Sequence, residues 1–135
     1  MNTLTISAAC LIDEAGRLLL VRKRNTQAFM LPGGKAEPGE DAITALSREL
    51  AEELNLNLSL PATALRPLGR FRAAAANEAA TWIDASVFQA HLTHAVSAAA
   101  ELEELRWLAP GDVPPAPLAP LLREHVLPLL WPNAT

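Results

Sequence analysis

Cysteine is almost missing from this 135-residue chain: Cys10 stands alone, so no disulfide can form within it, which fits a reducing compartment. Long apolar runs are missing as well. No stretch approaches the ~20 residues needed to cross a bilayer, and the first ten residues lack the basic region of a signal peptide. A cytoplasmic protein with no membrane association is therefore expected. There is no internal repeat and no second domain in the pattern, so residues 1–135 are read as a single domain. Half of the residues are hydrophobic and 19% are charged, a globular composition at a length that allows a real core. An excess of basic charge is the last absence. The formal charge is −4, and six of the fifteen acids but two of the eleven bases fall between Lys35 and Glu53; elsewhere nine acids face nine bases. Such a local acidic excess is the footprint of a cation site, not of a nucleic-acid surface, and no stable nucleic-acid partner is expected.

What is present is concentrated between Leu31 and Leu56. Pro32-Gly33-Gly34 begins this stretch, and glycine allows the backbone to come close to a ligand or to take positive φ. Glu37-Pro38-Gly39 reads as a second turn. Glu40 and Asp41 are expected in the first turn of a helix, where the dipole favours acids. Ala42, Ile43, Leu46, Leu50 and Leu54 then recur at helical spacing. Glu49, Glu52 and Glu53 stand at i, i+3 and i+4 on one side, with Glu49 and Glu53 at the edge of the apolar stripe and Glu52 further round. Like charges at that spacing repel by a few tenths of a kcal/mol per pair. Their common use is a hard divalent cation such as Mg²⁺, which takes oxygen ligands and bridges carboxylates to phosphates. Asn55 suits the left-handed residue that ends the helix.

Gly34, five residues, Glu40, seven residues, then Arg48-Glu49-Leu50-Ala51-Glu52-Glu53-Leu54-Asn55-Leu56 resembles the Nudix box over residues 34–56. Asn55 departs from it, since the family normally has glycine there; asparagine is the next most tolerant residue for that conformation. The resemblance implies an α/β fold, the Nudix α/β/α sandwich with a mixed β-sheet and a loop–helix–loop box. It also implies hydrolysis of a nucleoside diphosphate linked to another group. On that reading Glu49, Glu52 and Glu53, with the Gly33 carbonyl, hold Mg²⁺, for which Mn²⁺ is a possible substitute. Gly34, Glu40 and Arg48 are structural parts of the box, with Arg48 pairing Glu40. Glu53 or Glu49 is the candidate catalytic carboxylate. In antimutator-type members a glutamate six residues before a late tryptophan faces the metal; by that spacing from Trp107 the match is Glu101, with Glu78 and Glu104 as alternatives for the general base.

The rest of the chain reads as strands and a closing helix. Leu4–Ile12 and Arg17–Val21 form an expected hairpin across Asp13–Gly16. Arg22-Lys23-Arg24 is either a solvated strand end or a phosphate contact, with Arg22, Arg24 and Lys35 taken as substrate-binding candidates. Asn55–Pro61 is expected as a loop, Leu65–Arg72 as an edge strand because of Pro67, and Ala73–Ala80 as a turn. Thr81–Ala90 is a strand with Ile83, Ala85 and Val87 on one face. Trp82, Asp84, Ser86 and Phe88 form the other face, mixed enough to border a pocket. Trp82 is either core packing or a stacking platform for a base. His91 and His94 lack companions for a metal set and read as loop residues. Cys10, among Ala8, Ala9 and Leu11, reads as a small core residue rather than a nucleophile. Glu101–Leu108 is the last strand, and Leu121, Leu122, His125, Val126, Leu129 and Leu130 mark a closing helix from Leu118 or Pro120 to Trp131.

Nucleoside triphosphates, ADP-ribose and nucleotide sugars all remain open as substrates. A nucleotide-sensing module on the same fold and a plain acidic interaction domain are the other classes; the first would lack box glutamates and the second would not bind Mg²⁺ at the helix. A homodimer also stays open, since members of the family are often dimers.

Overall fold

Strand β1 (Asn2–Ile12) runs through the middle of a six-stranded mixed sheet. The computed structural model describes residues 2–56, 65–93 and 95–132. Along one edge β1 pairs in parallel with β5 (Thr81–His91) over its whole length, from Asn2 opposite Thr81 to Ile12 opposite His91. Its other edge is divided. At its far end it turns through Asp13–Gly16 into β2 (Leu18–Lys23), with Ile12 opposite Leu18. Earlier along β1, Ile6 to Ala8 pair with β3 (Gly33–Lys35). The segment leading to β3 is tied to both strands: Val21 and Met30 exchange two backbone hydrogen bonds of 2.8 Å, and the Ala9 N–H donates to the Pro32 carbonyl at 3.0 Å. It thus wedges β1 and β2 apart, and the turn carrying Gly33 and Gly34 sits in the fork. β3 was not anticipated, because three residues containing two glycines carry no strand propensity.

The sheet is completed by β4 (Arg66–Ala74), antiparallel to β5 at one edge, and β6 (Leu102–Leu108), antiparallel to β2 at the other. The expected edge position of Pro67 holds, and the β4–β5 register shifts between Pro67 and Gly69.

Alternation along the strands builds two cores. Ala9, Leu11, Leu19 and Val21 face helix α1 (Ala42–Leu54), whose Leu46, Leu50 and Leu54 are fully buried. Burying each such leucine contributes about 1.5–3 kcal/mol. Ala8, Cys10, Leu18 and Leu20 face the opposite way onto Leu122 and Val126 of the closing helix. Cys10 is a core residue, as read, and burial pushes its thiol pKa up to about 12. The closing helix is less regular than its sequence pattern suggests. Leu122–Val126 is a π-helical turn, in which the Leu127 N–H reaches the Leu122 carbonyl five residues back, before α2 (Leu127–Leu130). Pro128, with no N–H to give, follows at once.

Helix α1 starts at Ala42, after both acids that were expected in its first turn. Asp41 is its cap, accepting from the Thr44 N–H at 2.7 Å, and no acid lies in the first turn. Glu40 is freed to turn inward. At the other end Asn55 takes the left-handed conformation (φ 53, ψ 27), so the departure from glycine is accommodated. Asn55→Gly is expected to change stability by no more than about 1 kcal/mol in urea unfolding, because glycine removes the backbone cost but also the 2.8 Å hydrogen bond from Asn55 Nδ2 to Ser97 Oγ. Of the loop expected at Asn55–Pro61, residues 57–61 lie outside the described residues, and so does His94.

Candidate active site

The fork between β1 and β2 requires glycine at its tip. Gly33 has φ 148, and a Cβ there would collide with the Ser7 carbonyl oxygen and come within 2.8 Å of the Ala8 Cα. A Cβ on Gly34 would run into the Glu49 carboxylate. The two glycines therefore let the turn settle directly on the last two turns of α1. There the Gly33 N–H donates to Glu53 Oε1 at 3.0 Å.

Glu53 is 2% exposed, the one buried carboxylate among the described residues. Burial lifts its pKa to about 7; the Gly33 N–H and the Lys23 ammonium oppose this, and the nearby Glu49 and Glu101 charges add to it. An acid that is poised near neutrality can both accept a proton and serve as an anionic ligand when a cation arrives.

Arg48 holds the box together from the side. Its Nε and Nη2 donate to the two oxygens of Glu40, each at 2.9 Å, its Nη1 donates to Glu49 Oε1 at 2.8 Å, and its Nη2 also reaches the Lys35 carbonyl at 2.9 Å. Glu40 in turn accepts from the Glu37 N–H at 2.9 Å. The Arg48 guanidinium, with that N–H, holds the Glu40 pKa down to about 2. The expected Arg48–Glu40 pairing is thus present. Arg48→Ala leaves Glu40 and Glu49 without their cation, and is expected to lower the urea midpoint and to cut kcat/KM about tenfold or more through misplacement of Glu49. A variant with reduced activity but an unchanged midpoint would contradict that role.

Beside the turn opens a cavity of about 560 Å³. Its floor is aliphatic, with Leu4, Ile6 and Ile83 from the paired starts of β1 and β5, and Leu121 and Leu122 from the closing helix. Its polar end carries Gly33, Gly34, Glu49, Lys23, Arg24 and Glu101, and its mouth carries Lys35, Asn77 and Glu78. Lys23 Nζ lies 3.2 Å from Glu101 Oε1, and Lys35 Nζ 3.9 Å from Glu78 Oε1. Arg24 has no side-chain partner among the described residues.

Of the residues singled out in the sequence, the fold therefore brings Gly33, Gly34, Glu49, Glu101, Glu78, Arg24 and Lys35 around one space, with Glu53 buried behind Gly33. It leaves others outside. Arg22 donates to Glu104 Oε1 at 3.1 Å and to the Thr26 carbonyl at 2.9 Å, so it braces the loop after β2 rather than lining the cavity. Glu104 is taken up by Arg22 and by Arg106 at 3.3 Å. The Glu52 side chain is 56% exposed, 3.8 Å from Arg48 Nη1. The mixed face of β5 does not border the cavity: Trp82 lies under the Arg72 guanidinium, 5.5 Å from its ring centroid, and Asp84 pairs with Arg70 at 2.8 Å. The opposite face, through Ile83, forms the floor, because the closing helix leaves that end of the sheet open. Lys23, Ser7 and Asn77 were not singled out. A bulge between Arg22 and Lys23, where the β2–β6 register shifts, sets Lys23 and Glu101 together, and no sequence signal announces it.

The donor chemistry fits a hard divalent cation. Three carboxylates, Glu49, Glu53 and Glu101, are close enough to raise the Glu53 pKa by mutual repulsion, and oxygen is what Mg²⁺ and Mn²⁺ take. They have not closed on a single point: among the described residues no three His, Cys, Asp or Glu side chains are gathered as a finished metal site.

The NUDIX domain family profile matches residues 1–130, and the chain belongs to that family. A Bacillus subtilis (strain 168) protein provisionally described as an 8-oxo-dGTP diphosphatase is 29% identical over 105 residues, 76% of this chain; the match spans only 64% of that relative's length. Among solved structures, a MutT NUDIX hydrolase from Burkholderia pseudomallei superposes with a TM-score of 0.74 at 23% identity, covering 100% of both chains. The NUDIX domain of Shewanella oneidensis NrtR, crystallised with ADP-ribose, does so with a TM-score of 0.71 at 20% identity, over 93% of this chain and 85% of that one. The fold is the Nudix α/β/α sandwich with its mixed six-stranded sheet.

Proposed function

We propose that this chain hydrolyses the pyrophosphate linkage of a nucleoside diphosphate joined to another group, with Mg²⁺ as cofactor. The observation that carries the reading is the buried Glu53 carboxylate, fixed by the Gly33 N–H behind the turn that lines a cavity, which itself presents Glu49, Arg24 and an aliphatic floor. Glu49 and Glu53 would hold the cation, with Glu52 and the Gly33 carbonyl as the further ligands that the family resemblance suggests. When bound, a divalent cation neutralises the diphosphate and lowers the pKa of water.

The chain's own residues supply the rest. Arg24 and Lys35 bind phosphate oxygens, and Leu4, Ile6 and Ile83 shelter the nucleoside from water. The attacking water gives its proton to a carboxylate. Glu53 and Glu101 are the candidates; Glu104 is held by two arginines and Glu78 sits at the mouth. The B. subtilis relative's description favours a nucleoside triphosphate and the ligand of the S. oneidensis structure favours ADP-ribose.

A panel of nucleoside triphosphates (8-oxo-dGTP included), ADP-ribose and nucleotide sugars, assayed for released phosphate groups with and without Mg²⁺, tests the proposal. Cleavage of at least one compound only in the presence of metal supports it. Silence across the panel with no Mg²⁺ bound would overturn it.

A further inference from the structure

Resting on that reading, we propose that Lys23 is a resident cation of the metal-free site, clamped on Glu101 until a divalent ion takes its place and turns its ammonium toward the substrate's phosphates. The acidic end of the cavity is electrostatically unfinished without some cation. Arg48 neutralises Glu40 and Glu49 from outside the cavity. Among the described residues, no cation on that side reaches Glu101. Lys23 fills this gap from the opposite wall, 3.2 Å from Glu101 Oε1 and close enough to Glu53 to stabilise its charge.

Its position is built into the fold. The register of β2 and β6 runs evenly from Leu18 opposite Leu108 to Arg22 opposite Glu104, then slips so that Lys23 stands opposite Leu102. The Arg24 N–H closes the slip by donating to the Glu101 carbonyl at 2.8 Å. Bulges re-aim side chains beside functional sites, and this one aims Lys23 and Glu101 into the same space, where both line the cavity. Lysine suits exchange: its ammonium is a point charge on a flexible stem, unlike the fork with which Arg48 is fixed. A divalent cation outcompetes one ammonium for Glu101, because its double charge acts at shorter range. The displaced lysine, still in the cavity, is then free for phosphate.

The test is Mn²⁺ binding to the nucleotide-free protein, read by electron paramagnetic resonance, for the unmutated chain, Lys23→Met and Lys23→Arg, each checked for an unchanged melting temperature. Removing the competing charge should tighten Mn²⁺ at least about fivefold in Lys23→Met, whereas Lys23→Arg should stay within about twofold. Lys23 and Lys35 are the two lysines of the chain, so acetylation by limiting acetic anhydride, read by mass spectrometry, follows Lys23 with Lys35 as its internal reference. Saturating Mn²⁺ should raise labelling of Lys23 relative to Lys35 severalfold. Equal Mn²⁺ affinity in Lys23→Met, or tighter binding without increased labelling, would overturn the exchange and leave the proposed hydrolysis standing. Absence of Mn²⁺ binding in the unmutated chain would overturn both.

Discussion

Glu53→Gln should cost about 10²- to 10⁴-fold in kcat and, in the same protein without metal, should raise stability at neutral and alkaline pH. The two effects share one cause. Glutamine is isosteric and keeps an acceptor for the Gly33 N–H, now 3.0 Å from Glu53 Oε1, so the turn and α1 stay joined. It cannot ionise, however, so it neither takes a proton nor offers a cation an anionic ligand. Burial raises the folded-state pKa of Glu53 from 4.5 to about 7. The folded protein therefore holds this proton more tightly than the unfolded chain does. That contribution is complete below the unfolded value of 4.5 and is lost as pH rises to about 7. Urea unfolding in EDTA should then show Glu53→Gln and the unmutated chain nearly equal near the lower pH. Near pH ~8 the variant should be more stable by about 2–3 kcal/mol. An active variant would sink the proposed role of Glu53, and a variant destabilised at high pH would show that the carboxylate is held by more than the one N–H.

Gly33→Ala is expected to be the most damaging change that alters no functional side chain. At φ 148 an L-residue is strained, and its Cβ would meet the Ser7 carbonyl oxygen and the Ala8 Cα. Both belong to the backbone of β1, the strand that pairs with β5 along its whole length, so neither can move aside cheaply. The turn must lift instead, breaking the β1–β3 pairing at Ala8 and Gly33 and the hydrogen bond to Glu53. A loss of at least about 2–4 kcal/mol in urea unfolding is expected, with activity abolished. Gly39→Ala is the control. That glycine also has positive φ, but nothing lies within 4 Å of a Cβ there, and the cost should be about 1 kcal/mol with turnover retained. Equal damage from both would mean that conformational strain, not the close approach to β1, explains Gly33.

The part of this account legible in the sequence is the part made by local geometry. Helical spacing alone sets Glu49, Glu53 and Leu50 on neighbouring turns, while the Arg48–Glu40 pair also needs the turn before the Asp41 cap to fold back. The Pro-Gly-Gly turn announces a tight approach, though not to what. What the sequence hid depends on pairing between distant segments. The aliphatic floor exists because Leu4 and Ile83 are opposite each other in parallel strands, and parallel pairing leaves no local mark. For the same reason the choice between the two faces of β5 went to the wrong one. Polar mixing marks solvent contact as readily as a pocket, and Asp84 and Trp82 turn out to serve Arg70 and Arg72. Within the basic triplet, Arg22 and Arg24 were chosen for their geometry toward phosphate; Arg24 lines the cavity, Arg22 does not, and the bulge brings in Lys23 instead.

The fold also explains why the acidic excess of the chain is gathered in one segment. Arg48 is shared among Glu37, Glu40, Glu49 and Glu52, so a single guanidinium serves four carboxylates. The imbalance that composition revealed is thus not dispersed on folding. It stays gathered around Arg48 and reaches the wall of the cavity through Glu49.

The most direct measurement is hydrolysis in H₂¹⁸O, with Mg²⁺ or with EDTA, of whichever nucleotide the panel selects, followed by mass spectrometry of both products. Attack by water at the pyrophosphate linkage predicts one ¹⁸O in a phosphoryl product, cleavage between the two linked phosphates, and no reaction in EDTA. Label appearing outside a phosphoryl group, or equal turnover without metal, would contradict the account.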